Sequence, residues 1–214
     1  MECGCWEFNR NWFWSFKLRG MKYFVVKYSG PFGFIKPWTA VRDSETFSQQ
    51  FLTPSIVEGI EKKLFPELLK RIGIFKILGH RLSYDQVSGQ QEQIQTRGWN
   101  STRKGKQLQF ERPNGILIRG ILINPTLSIA FSSKEDAEIA FTQHICLCRN
   151  EDILLPVDII ETDKSAFETD EAIFNGFELV FEKTEKAFLV GYNRLTSEQM
   201  YGWIKVVGNP ITQY

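Results

Sequence analysis

Residues Lys22 to Ser29, KYFVVKYS, form a run of aromatic and β-branched residues that stops at the Gly30-Pro31 dipeptide. Such a run suits a pleated, largely buried strand, and Gly-Pro ends it in a turn. The spacing predicts a central strand, and a central strand needs partners on both edges. Gly73 to Tyr84 (GIFKILGHRLSY) supplies a second strand. Gly115 to Phe131 (GILIRGILINPTLSIAF) reads as a third, bent or broken at Asn124-Pro125, and Leu155 to Glu161 as a fourth.

Two helices fall between these strands. Thr53-Pro54 is a helix start, with Thr as N-cap and Pro in the first turn, and Val57, Ile60 and Leu64 follow at helical spacing. A helix from Pro54 to about Phe65 is expected. Gly59 inside it marks a place of close backbone packing. Ser133 with Asp136 resembles a capping box, and Ala137, Ala140, Phe141, Ile145 and Cys148 recur on one face of a second helix. The order strand, helix, strand, insertion, strand, helix, strand is that of an α+β, ferredoxin-like (RRM-type) domain over 21–161, whose open sheet often binds single-stranded RNA. Residues 162–214 alternate short strand-like runs with turns, as a β-rich C-terminal appendage.

A formal net charge of +1 hides an uneven distribution. Arg97, Arg103, Lys104, Lys106, Arg112 and Arg119 face the single acid Glu111 between Gln93 and Arg119, and all but Arg119 lie inside an insertion placed at 90–114. From Glu151 to Lys186 acids predominate, so that part should avoid nucleic acid. The loop from Pro31 to Leu52 mixes Phe32, Phe34, Trp38 and Phe47 with Lys36 and Arg42. It either holds bases and phosphates or is pinned to the core by its rings.

The four cysteines fall as Cys3 with Cys5 and Cys146 with Cys148, a spacing that argues against a disulfide framework and fits a reducing cytoplasm. No metal or other cofactor is expected, because zinc would require both distant pairs to converge. No apolar run is long enough to cross a bilayer, and the first twenty residues carry charges unlike a signal peptide's apolar centre. Met21 opens the strand pattern, so residues 1–20 read as a non-native extension. Gly-rich phosphate loops, GxSxG elbows, HExxH helices and EF-hands are not found.

MKYFVVKYSGPFGFIKPWT, FLTPSIVEGIEKKLF and CLCRNEDILLPVDIIE, in that order, together resemble the Cas-five family of RAMP proteins, subunits of type I CRISPR Cascade complexes. Family features match at Gly30-Pro31, Thr53-Pro54-Ser55 and Leu147-Cys148-Arg149, with Cys148 where the family has glycine. The resemblance spans about Met21 to Glu161. It implies a non-catalytic subunit that caps the 5′ handle of crRNA, contacts the backbone and large subunits, and meets target DNA only through the assembled complex. The basic insertion lies where the family has a thumb-like hairpin.

Under this resemblance the RNA-binding candidates are Lys27, Ser29, Phe34, Lys36, Trp38 and Arg42; Thr53, Pro54 and Ser55; Arg97, Trp99, Arg103, Lys104, Lys106, Arg112 and Arg119; and Arg149. Cations would track phosphates and rings would take unstacked bases, each stacked base contributing roughly 1 to 3 kcal/mol. One branch of the family cleaves precursor crRNA without metal, which needs a general base and a cation at the phosphate. Only His80 and His144 occur here, neither beside a lysine. The remaining cleavage alternative uses His80, Tyr84 and Lys104. A further alternative is a protein-interaction module that binds no RNA.

Overall fold

Strand β1 (Lys22–Ser29) takes the run singled out in the sequence and is paired on both edges. In the computed structural model, residues 22–37, 45–193 and 196–212 are described. Trp38, Arg42 and the 1–20 extension lie outside them. After β1 come β2 (Phe32–Gly33), β3 (Glu45–Phe47), α1 (Pro54–Leu64) and β4 (Ile77–Ser83). Four strands follow directly: β5 (Gln86–Gln95), β6 (Asn100–Lys104), β7 (Gln107–Glu111) and β8 (Asn114–Ile123). The chain continues through β9 (Thr126–Phe131), α2 (Lys134–Phe141), β10 (Ile145–Cys146), β11 (Ile153–Asp163) and α3 (Lys164–Thr169). It ends in β12 (Gly176–Val180), β13 (Phe188–Tyr192) and β14 (Gln199–Val207).

The α+β, ferredoxin-like class expected from the element order is overturned. Strands take 49 % of the described residues and helices 15 %, so the protein is mostly β. Its main sheet has eight antiparallel strands in the order β10-β11-β1-β9-β4-β12-β14-β13. Two causes are visible. The polar insertion, expected to be an interruption, is itself built of strands. The C-terminal runs do not stand apart either: β12 reaches the edge of β4 through Phe177 opposite Leu82, and extends the sheet.

Side chains alternate across β1, so each face of the sheet buries a separate cluster. Val26 and Tyr28 point into the larger one, with Leu64 and Phe65 at the end of α1, Ile129 and Phe131 of β9, and Ala137 and Ala140 of α2. Tyr23 and Val25 point the other way, against Phe167 of α3 and Phe174. The Tyr28 hydroxyl donates to the carbonyl of Ala140 at 2.7 Å, fastening α2 to the central strand.

The helix starts follow their sequence signals to different degrees. Ser133 Oγ accepts from the Asp136 amide at 3.3 Å, as a capping residue should. Thr53 precedes α1 in extended geometry without a side-chain cap bond, and its hydroxyl pairs with Ser55 Oγ at 2.9 Å instead. Gly59 is exposed, and a Cβ there would meet nothing within 4 Å among the described residues, so the expected close packing is not found there. The second helix ends at Phe141, not near Cys148: Ile145 and Cys146 pair with β11, and His144 is exposed before them.

Asn124-Pro125 divides the expected third strand more sharply than a bend. Asn124 has φ 48°, and the chain passes from β8 in one sheet to β9 in another. Gly30 sits against this crossing and donates to the Pro125 carbonyl at 3.2 Å. A Cβ on Gly30 would lie 2.4 Å from the Ile153 carbonyl oxygen, so only glycine fits there. Among the described residues no helix is long and apolar enough to cross a membrane.

Candidate nucleic-acid interface

The segment from Gln86 to Ile123 forms a long antiparallel pair, β5 with β8, in register from Gln86 opposite Ile123 to Gln95 opposite Asn114. A smaller hairpin, β6 with β7, continues from its far end. β5 is QVSGQQEQIQ, mostly exposed, with few apolar side chains to bury. It is a strand because β8 offers it an unbroken hydrogen-bond ladder, and β8 is held at its base by β2 and β3. Phe47 of β3 lies across Gly120, where a Cβ would come within 2.2 Å of its ring.

Residues 97 to 112 are exposed throughout. The β6–β7 register sorts them onto two faces. Arg103 opposes Leu108 and Ser101 opposes Phe110 on one. On the other, Lys104 opposes Gln107 and Thr102 opposes Gln109. Lys106 lies in the connecting turn beside Gly105, whose φ of 64° is the left-handed conformation that the turn requires. Trp99 is 59 % exposed, with the Arg112 guanidinium 4.5 Å from its ring centroid. Five predicted cations and one predicted ring are thus brought onto a single hairpin. Phe110, 60 % exposed, and Leu108 share it and were missed in the sequence reading. The alternation in QLQFE after the KGK turn was the signal for them.

Arg119 and Arg149 are placed elsewhere, together, over the ring of Phe34. Their guanidinium carbons stand 4.7 and 5.4 Å from its centroid. Phe34 is buried, so it props the two arginines and does not present a face for stacking. Arg119 Nε donates to Glu92 at 2.7 Å. Arg149 donates through Nε and a terminal nitrogen to the two oxygens of Asp152, at 2.9 and 2.6 Å, and through its backbone amide at 3.0 Å. The bonds to Asp152, opposed in part by burial and aided by the charges of Asp152, Glu151 and Glu92, raise the Arg149 pKa. Both cations expected to meet phosphate are therefore already matched by carboxylates that the sequence reading did not connect to them. Between them lies a cleft of about 180 Å³, lined by Gln90, Glu92, Arg119, Arg149 and Glu151 among others.

The other candidates are dispersed. Lys27 is half-buried on β1 between Ser128 and Asp158, and Ser29 lies between Thr126 and Leu155. Lys36 is exposed after β2, Thr53 is buried, Pro54 half-buried and Ser55 exposed at the start of α1. The cleavage alternative does not converge. His80 is buried in β4, where burial and then the charge of Arg81 lower its pKa to about 3. Tyr84 is also buried, which raises its pKa to about 12. Lys104 is exposed on the β6–β7 hairpin. Among the described residues no cluster of three or more His, Cys, Asp or Glu could hold a metal ion.

The class that fold and site define is a mostly β protein carrying an exposed basic, aromatic-bearing hairpin. Compared with known proteins, the chain matches no family model and no curated sequence.

Proposed function

We propose that this chain is a non-catalytic crRNA-binding subunit of a type I CRISPR Cascade complex, acting in the cytoplasm and capping the 5′ handle of the guide RNA. The observation that carries the reading is the hairpin of residues 97–112. It gathers Arg97, Arg103, Lys104, Lys106 and Arg112 with the exposed rings of Trp99 and Phe110. Cations spaced along a two-stranded ribbon can follow a phosphate backbone, and exposed rings take unstacked bases. The ordered likeness of three segments to the Cas-five family supplies the identity of the RNA and of the protein partners, a backbone and a large subunit. Target DNA is then met through guide pairing in the assembled complex.

The non-catalytic part of the reading rests on the separation of His80 and Tyr84, both buried, from the exposed Lys104. A base must reach a 2′-hydroxyl within hydrogen-bond distance, and a buried imidazole with its pKa near 3 is poorly matched to that task at neutral pH. The test is incubation of the purified chain in EDTA with labelled repeat RNA and with an unrelated RNA, reading binding and cutting on the same gels. Handle-selective binding without cutting is the expected result. Site-specific cutting would move the protein to the metal-independent endoribonucleases, and no RNA interaction at low salt would overturn the reading.

A further inference from the structure

The cleft between Arg119 and Arg149 is unlike the hairpin, and the RNA-binding reading alone does not say what it takes. Two guanidiniums line it, yet each is bonded to a carboxylate. Glu92 and Glu151 also line it, and Asp152 is buried against Arg149. Two cations beside two carboxylates, with Asp152 already bonded to Arg149 from behind, make a poor phosphate site, since an entering phosphodiester anion would meet the acids as well as the arginines. A space of about 180 Å³ is below the usual range for sites of drug-sized ligands and suits one planar ring system.

We propose that this cleft reads the edges of a single unstacked guanine base. The assignment rests on the RNA-binding reading above and specifies which part of the RNA the cleft takes. The reason is the pattern of donors and acceptors. Guanine presents O6 and N7 as adjacent acceptors, which an arginine fork matches in a bidentate way. Its opposite edge presents N1–H and the N2 amino group as adjacent donors, which the two oxygens of one carboxylate accept together. Adenine and cytosine set a ring-nitrogen acceptor beside their amino group, which a carboxylate repels. Uracil offers one N–H between two carbonyls. A cleft that pairs arginine with exposed glutamate therefore favours guanine over the other three bases.

The supports around the cleft fit this task. Phe34 beneath the guanidiniums and Asp152 behind Arg149 fix where the donors stand, so less rotamer freedom is lost on binding. The side chains of Glu92 and Glu151 are 45 % and 59 % exposed, free enough to turn from an arginine toward a base. Arg119 joins the cleft to β8, which leads to the basic hairpin, so a strand following those cations can place a base here.

The experiment compares three short RNAs on the full chain at one low salt concentration: a uridine heptamer, the same heptamer with one central guanosine, and the same with inosine, which lacks only the N2 amino group. The expected result is binding about tenfold or more tighter for the guanosine oligomer than for uridine, most of it lost with inosine. Double substitution of Glu92→Gln and Glu151→Gln removes the preference, so that the variant binds the three oligomers alike, whatever their shared affinity. Equal affinity for the three RNAs, or a guanosine preference that survives the double substitution, would overturn the base-reading cleft while leaving the hairpin reading intact. No binding of any of the three would remove the RNA-binding reading and this inference with it.

Discussion

The Glu61 carboxylate shows how one buried charge can organise a loop. Its side chain is fully buried in α1, and it accepts the backbone N–H groups of Phe75, Lys76 and Ile77 at 2.6 to 2.9 Å. These amides lie where the chain turns into β4, so the carboxylate does for the loop what a strand partner would otherwise do. Truncation would leave three backbone donors, that of Ile77 buried and those of Phe75 and Lys76 partly so, without this partner. Glu61→Ala is expected to lower stability by about 3 kcal/mol or more, measured as a shift in the urea midpoint with an unchanged slope. An unmoved midpoint would mean that the loop is held by other contacts.

His80 makes a second residue-scale prediction, through its protons. Burial, reinforced by Arg81, keeps it neutral down to about pH 3, whereas an unfolded histidine takes a proton near pH 6.5. Between those values the unfolded state binds more protons, so stability present above pH 6.5 is lost as the pH falls. The full slope from this one group is about 1.4 kcal/mol per pH unit. Denaturation of the parent and of His80→Gln at pH 7.5, 6 and 5 reads it. The parent should lose its advantage over the variant as acid is added, and a constant difference would show that His80 does not carry the dependence. These residues also mark what the sequence left illegible at this scale. Phe34, Arg119 and Arg149 were each picked out, but their meeting over one ring, and the pairing of both arginines with acids, depends on strands far apart in the chain.

At the scale of elements, legibility followed hydrophobic pattern. β1 and α1 were read almost to the residue because their apolar spacing was dense and their ends carried Gly-Pro and Thr-Pro. β5 was not, because a strand exposed on both faces has no core side to impose an alternation, and its glutamines resemble those of a loop. β8 and β9 share an apolar pattern, and Asn124-Pro125 marks in the sequence where they divide but not that they enter different sheets. The φ of Asn124 and the sheet pairing show that change of sheet. The hairpin that resulted has a direct test. If Arg103, Lys104 and Lys106 lie along RNA phosphates, replacing all three with glutamine should weaken binding and flatten the slope of log affinity against log salt by about 2, at roughly 0.7 per single-strand phosphate contact. Far-UV circular dichroism should not change, since these side chains are exposed. Phe110→Ala should instead weaken binding by roughly 1 to 3 kcal/mol with the salt slope intact, because a stacked ring releases no counterions.

At the scale of the whole molecule, the junction between β4 and β12 decides whether the C-terminal strands act as part of the sheet. Among the described residues the ladder across it is slight, with Phe177 opposite Leu82. Side chains reinforce it. Arg81 of β4, with a fully buried side chain, is ion-paired to Glu178 of β12 and, at 3.1 Å, to Glu168 of α3, while Lys205 of β14 also reaches Glu168. The Arg81 guanidinium stands 4.7 Å from the Phe167 ring centroid, in the second core cluster. Gly176 completes the fit: with φ 155°, it passes so close to β4 that a Cβ would lie 2.8 Å from the Leu82 amide. Arg81→Ala removes the cation shared by two acids and leaves them beside the core, a change of the kind that costs about 3 to 5 kcal/mol. Its effect should be local before it is global. Amide exchange in β12 and β14 should accelerate at denaturant concentrations where β1 and β9 remain protected, because the pairing of the latter with β11 and β4 does not depend on the β4–β12 junction. Uniform acceleration through all eight strands would mean instead that the sheet opens as one unit and that the ion cluster is not what joins its two ends.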